Sequence, residues 1–152
     1  MRRSAPRFWW EGGAAGVLLA PLGALVGLVA GRRLRQAPGG RLAIPVICIG
    51  NPTVGGSGKT PTAIAVAGLL REMGRAPAFL LRGYGGRLAG PVLVDLDAHT
   101  AADVGDEALL LARHAPTVVS RDRLAGGRLL ERSGAGVVVM DDGFQNPDLH
   151  KD

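Results

Sequence analysis

Ile44-Pro45-Val46-Ile47-Cys48-Ile49-Gly50-Asn51-Pro52-Thr53-Val54-Gly55-Gly56-Ser57-Gly58-Lys59-Thr60-Pro61 is the stretch whose reading decides the fold. A short apolar, β-branched run reads as a buried strand. A glycine-rich turn follows, then Lys-Thr, then Pro61 at the first helical position. This strand–loop–helix order is the context a phosphate-binding loop requires. Gly55, Gly56 and Gly58 allow successive N–H groups to point inward and form a nest for anionic oxygens. The following helix N-terminus adds partial positive charge. In this reading Lys59 reaches the β- and γ-phosphates and the Thr60 hydroxyl ligates Mg²⁺. Thr53 stands where the strict G-x-x-x-x-G-K-[ST] pattern has its first glycine.

Downstream, apolar runs alternate with helical periodicity. Thr62 to Met73 predicts a helix stopped by Gly74. Ala78 to Leu81 predicts a strand, and Val92 to Val94 a third strand or a hairpin arm. Gly105-Asp106-Glu107 opens a helical run to Arg113. Thr117 to Val119 predicts a strand, Asp122 to Arg132 a helix, and Gly136 to Met140 the most hydrophobic strand. This βα alternation predicts an α/β fold: a phosphate-loop NTPase-like, mostly parallel sheet flanked by helices. Ligands of such sheets bind beyond the carboxyl ends of the strands. There the sequence places the glycine-rich loop, Arg82-Gly83-Tyr84 and Asp141-Asp142.

An apolar strand ending in carboxylates downstream of a phosphate loop is the Walker B arrangement, in which the acid holds Mg²⁺ directly or through water. Asp141 and Asp142 both qualify, and an Asp-Asp-Gly turn is the bland alternative. Asp106 and Glu107 are either partners of a helix N-terminus or contain a general base for an acceptor hydroxyl. Arg82, Arg121 and Arg123 either neutralise phosphate charge or are solvated. His99, His114 and His150 have no metal-ligand spacing.

The chain has 152 residues, enough for one ordinary domain with a core, and a net charge of +5. That balance suits an anionic partner, a nucleotide or a phospholipid surface. Basic residues without interleaved aromatics argue against nucleic acid. Cys48, the single cysteine, excludes an internal disulfide and fits a reducing compartment.

Residues 1–35 differ from the rest. Arg2, Arg3 and Arg7 precede Phe8-Trp9-Trp10. Twenty uncharged residues, 12–31, follow, and then Arg32, Arg33 and Arg35. This predicts an apolar membrane-associating helix, spanning or lying in the interface, with tryptophans at the boundary. A secretory signal peptide is the rival, but no convincing cleavage site follows Val29. A core-packing helix is disfavoured by six glycines and Pro21. Residues 36–152 form the phosphate-loop core, entered through a Pro38-Gly39-Gly40 linker.

The chain resembles the tetraacyldisaccharide 4′-kinase family in Gly50 to Pro61, Arg82-Gly83-Tyr84-Gly85-Gly86, Gly105-Asp106-Glu107, and Asp141-Asp142-Gly143-Phe144-Gln145 through Leu149 and Asp152. Trp10 and the apolar segment before Arg32-Arg33 resemble that family's membrane-associating start, and Thr53 is usual there. The resemblance implies transfer of the γ-phosphate of ATP to the 4′-hydroxyl of a lipid A disaccharide 1-phosphate precursor, at the cytoplasmic face of the bacterial inner membrane. It implies that Thr53, Val54, Gly55, Gly56, Ser57, Gly58, Lys59 and Thr60 cradle ATP. It also implies that Thr60, Asp141 and Asp142 hold Mg²⁺, and that Asp106 is the base with Glu107 beside it. Tyr84, Arg123 and Gln145 are implied around nucleotide and acceptor. Leu81 stands where the family usually has serine. The family's greater length implies that this is an N-terminal portion, lacking a second lobe and a partner histidine and expected to have little activity alone. A membrane-associated ATPase or GTPase switch is the runner-up. Val54 counts against it, because that class carries lysine there. A catalytically dead fragment is the third reading.

Overall fold

The computed structural model describes residues 39–50, 58–141 and 148–152, with helical positions between 17 and 31. The chain divides into two compact units, 1–36 and 37–152. In the first, Val17, Leu18, Ala20, Pro21, Gly23, Ala24, Gly27, Leu28 and Gly31 are helical. Val17, Leu18 and Leu28 stand exposed. Among the described residues no helix is long and apolar enough to cross a membrane.

The second unit carries a mixed five-stranded sheet. β1 is Val46–Ile49, β2 Pro77–Leu81, β3 Val92–Leu93, β4 Thr117–Val119 and β5 Val137–Asp141. The helices are α1 (Lys59–Glu72), α2 (Ala101–Val104), α3 (Asp106–Ala112) and α4 (Arg123–Arg132). The spatial order is β1-β5-β2-β4-β3. Pairings β1–β5, β5–β2 and β2–β4 are parallel; only β3–β4 is antiparallel. Val92–Leu93 is therefore an edge strand beside β4.

The position of β5 has a physical cause. Val137-Val138-Val139-Met140 is apolar on both pleat faces, so it is stable only where helices cover it on both sides. All five of its residues are buried. It lies between β1 and β2, the two strands that α1 connects.

Side-chain alternation assigns the two layers. Phe79, Leu81, Val119 and Val139 face Ala63 and Ala67 of α1, Val104 of α2, and Ala108 and Leu111 of α3. Val46, Ala78, Leu80, Val118, Val138 and Met140 face the opposite way and pack with Leu130 of α4, Leu42 and Leu149. Gly126 and Gly127 weaken α4 as a helix in isolation but let it approach the sheet. A Cβ on Gly126 would lie 2.7 Å from Leu80 Cδ1, and one on Gly127 2.6 Å from Leu42 Cδ1.

α1 begins at Lys59, earlier than the periodicity from Thr62 predicts. Pro61 is thus its third residue, still in the first turn where a missing N–H costs nothing. Gly74 stops it with φ 73°. α2 has no counterpart in the hydrophobic periodicity, for which its four residues are too few.

Residues after β5 return to the open side of β1. Leu149 is buried and bridges Gly40 in parallel register. Asp152 N–H donates to Val46 O (3.0 Å), and Val46 N–H donates to the Asp152 carboxylate (3.0 Å), which also accepts from Arg41 (2.8 Å). The Val46 amide and the Arg41 guanidinium hold that carboxyl below its ordinary range.

Candidate active site

The register places the carboxyl ends of four parallel strands in one row. Ile49 pairs with Asp141, Leu80 with Met140, and Leu81 with Val119. The segments that start at Gly50, Arg82, Ser120 and Asp142 therefore all leave the same edge.

At its centre Thr60, the second residue of α1, donates its hydroxyl to Asp141 Oδ2 over 3.1 Å. These residues are 81 positions apart in sequence. They meet because β5 is the direct neighbour of β1. Asp141 is buried. Gly58 caps α1 in the left-handed conformation (φ 73°), and its carbonyl accepts from the Thr62 N–H (3.1 Å) and hydroxyl (2.9 Å). No acidic side chain lies in the first turn of α1. The N-terminal N–H groups and their partial positive charge therefore meet no carboxylate from their own helix. Lys59 is the first residue of that helix and is half-buried.

The Arg82–Gly86 and Gly105–Glu107 segments also meet at this edge. A Cβ on Gly105 would lie 2.5 Å from Tyr84 O, and one on Gly86 would lie 2.7 Å from Asp103 O. Gly105 has φ 90° and caps α3. Both glycines are required, because two backbones touch there without room for a side chain. Asp106 and Glu107 occupy the first turn of α3, exposed to solvent, and Tyr84 is also exposed.

Of the two readings of Arg123, burial excludes the solvated one. The residue is 3 % exposed, and its Nη1 donates to Ser120 O (2.7 Å) at the tip of β4. Asp122 caps α4 by accepting from Ala125 N–H (2.9 Å). Leu81, in the position where the resemblance implies serine, is buried in the core. Thr53, Val54, Gly55, Gly56, Ser57, Asp142 and Gln145 lie outside the described residues. Arg82 and Arg121 are exposed. Among the described residues no group of three or more His, Cys, Asp or Glu side chains is placed to hold a metal ion. Thr60 and Asp141 present two hard oxygen donors.

One feature of this edge is missing from the sequence reading. Asp103, nearly buried, accepts from Thr100 N–H (2.8 Å) and Thr100 Oγ1 (2.7 Å) through one oxygen. Through the other it accepts from Arg87 Nε (2.7 Å) and Nη2 (2.6 Å). The Thr100 hydroxyl and amide, then Arg87, hold this carboxyl far below its ordinary range. A signal for it exists: Thr100-Ala101-Ala102-Asp103 has capping-box spacing.

The model of the tetraacyldisaccharide-1-P 4′-kinase family matches residues 15–152. The chain belongs to the tetraacyldisaccharide-1-P 4′-kinase family. It is 59 % identical to the tetraacyldisaccharide 4′-kinase of Methylobacterium sp. (strain 4-46) over 150 residues, covering 97 % of this chain and 45 % of the relative. It is 62 % identical to that of Azorhizobium caulinodans over 149 residues, covering 97 % and 44 %. Its fold is similar to the crystal structure of LpxK from Aquifex aeolicus in complex with ATP. There the TM-score is 0.77 at 33 % identity, over 89 % of this chain and 46 % of the other. The chain thus spans under half the length of these family members.

Proposed function

We propose that this chain is the nucleotide-gripping part of an ATP-dependent kinase acting on the 4′-hydroxyl of a tetraacyldisaccharide 1-phosphate, a lipid A precursor. The carrying observation is the Thr60–Asp141 hydrogen bond at the N-terminus of α1. It joins the two halves of a phosphate site, as a phosphoryl-transfer centre requires.

In this reading Thr53 to Thr60 hold the ATP phosphates by backbone N–H groups, and Lys59 neutralises β- and γ-oxygens. Thr60 and Asp141, with Asp142, are hard oxygen donors that fit Mg²⁺. Bound there, Mg²⁺ offsets phosphate charge. Asp106 takes the proton of the 4′-hydroxyl as that oxygen bonds to the γ-phosphorus. The bond to the β–γ bridging oxygen breaks and ADP leaves. Glu107, Tyr84 and Gln145 line the acceptor and nucleotide side. Buried Arg123 supports the tip of β4 from behind.

Unit 1–36 is the membrane-associating element. It exposes Val17, Leu18 and Leu28 between arginine clusters at both ends. Apolar and basic residues together suit a phospholipid surface. ATP supply places that surface at the cytoplasmic face of the inner membrane.

The test joins this chain to the remainder of a full-length relative, replacing the part it matches. Radiolabel should pass from the γ-phosphate of ATP to the lipid disaccharide 1-phosphate. Hydrolysis that ignores the acceptor would refute the kinase and favour a nucleotide switch. Deleting residues 1–31 should move the protein from membrane to soluble fractions; unchanged partitioning refutes the anchor.

A further inference from the structure

The segment between β2 and α3 is held by a clasp outside the phosphate site. After β2 the chain turns at Gly83 to Gly86, where Gly86 N–H donates to Gly83 O (3.0 Å). It then runs alongside α2: Arg87 N–H donates to Ala102 O (3.0 Å) and Leu88 N–H to Asp103 O (2.9 Å). The Asp103 carboxylate closes the arrangement. One oxygen secures the start of α2 at Thr100, and the other takes two N–H groups of Arg87. Three residues later Asp106 begins α3, across the φ 90° joint at Gly105.

The joint explains why a clasp is needed. Gly105 is the residue type with the widest backbone freedom, so it fixes the direction of α3 poorly by itself. α2 has four residues, too short to hold its own conformation. Asp106 is exposed, so packing around its own side chain does not position it. Ala108 and Leu111, buried with Phe79, Leu81 and Val119, anchor the body of α3; its first turn, where Asp106 stands, is set in addition by the backbone contact of Gly105 with Tyr84 and by the clasp.

We infer that Asp103, with Arg87, is a positioning residue that sets where Asp106 stands at the strand tips; the inference rests on reading Asp106 as the base. Arg87 is exposed, with 76 % of its side chain accessible, so as a surface ion pair alone it would contribute little to folding. Its effect belongs on geometry. Displacements of about 1 Å at a reacting group cost up to about a hundredfold in rate.

The chimeric kinase described above tests this with Asp103→Asn, Arg87→Gln, the double variant and Arg87→Lys. Each single variant should lower kcat about tenfold, normalised to nucleotide-binding sites, with KM for ATP within about twofold. The double variant should be no worse than either single, because the pair acts as one unit. Arg87→Lys should recover part of the rate, since it keeps the charge without the two-pronged donation. Additive losses, or kcat equal to that of the parent, overturn the inference. Asp106→Asn separates the two readings. If it is inactive while Asp103→Asn is normal, the positioning role fails and the base stands. If Asp106→Asn turns over normally, the base reading fails and the positioning role with it. A second measurement needs no turnover. In the 152-residue chain, Asp103→Asn should speed amide exchange across Leu109 to Ala112, the α3 amides with acceptors within or capping the helix, while leaving β5 protected; unchanged exchange overturns the inference.

Discussion

The two ends of the parallel sheet are built from the same strands and helices yet have opposite character. At the carboxyl end α1 starts, its N-terminal N–H groups beside Thr60, Asp141 and Lys59. At the amino end α1 and α4 stop, at Met73 and Ser133, whose N–H groups donate back to last-turn carbonyls. There Arg71 donates to His114 O. A shallow cavity of about 400 Å³ is lined by Ala76, Pro77, Ala78, Pro116, Leu130 and Ala135, among others. The difference follows from chain direction. In a parallel βα fold helix N-termini gather at the carboxyl edge of the sheet, so the positive dipole ends collect on one side. An anion finds backbone donors at that side, while the other attracts cations.

The largest effect expected tests that contrast directly. Lys59→Ala in the chimera should lower phosphoryl transfer about 10³-fold while its thermal midpoint stays within a few degrees. Near-normal turnover would break the assignment of the carboxyl edge. Next, two glycines of positive φ sharpen it. A Cβ added at Gly105 (φ 90°) would meet Tyr84 O at 2.5 Å, whereas one added at Gly134 (φ 86°) at the amino end would enter open space. Gly105→Ala should cost about 3 kcal/mol and Gly134→Ala about 1 kcal/mol. Equal costs in denaturant unfolding would show that the loops do not press together at the site.

Smaller still is the contribution of the Thr60 hydroxyl to folding. Thr60→Val removes its donation to Asp141 and should cost about 1–2 kcal/mol, read from the urea midpoint. A neutral result would mean that the pair is not formed in solution. The pH dependence comes next. The carboxyls of Asp103 and Asp152 lie below their ordinary value of 3.8 in the folded chain. The unfolded chain therefore binds more protons as pH falls through that value. The stability these groups contribute is complete above it and is lost progressively below it. Urea unfolding between pH 5 and pH 3 should show this fall, and Asp103→Asn should flatten it; an unchanged slope would remove Asp103 from the account. The smallest effect belongs to the amino end. Arg71→Ala should change stability by about 0.5 kcal/mol and leave nucleotide binding untouched.

Much of this was legible locally. The strand before the glycine-rich stretch and the helix after it follow from β-branched residues in β1 and from helix-forming residues stopped by Gly74 in α1, each acting on its near neighbours. The Asp141 strand tip was legible because four apolar residues must end at a turn. Arg123 was not legible. Its burial depends on how α4 docks beneath Ser120, which two glycines permit and sequence spacing does not encode. Asp103 had a local signal in Thr100, but its partner Arg87 lies across a loop.

By itself the amino-acid sequence determined the alternation of strands and helices and the family. These rest on short-range preferences and on residue types. Only the tertiary structure decided that β5 enters between β1 and β2, bringing Asp141 to Thr60. Strand neighbours are chosen by burying apolar faces and pairing every inner backbone group, and that choice is made over the whole sheet at once.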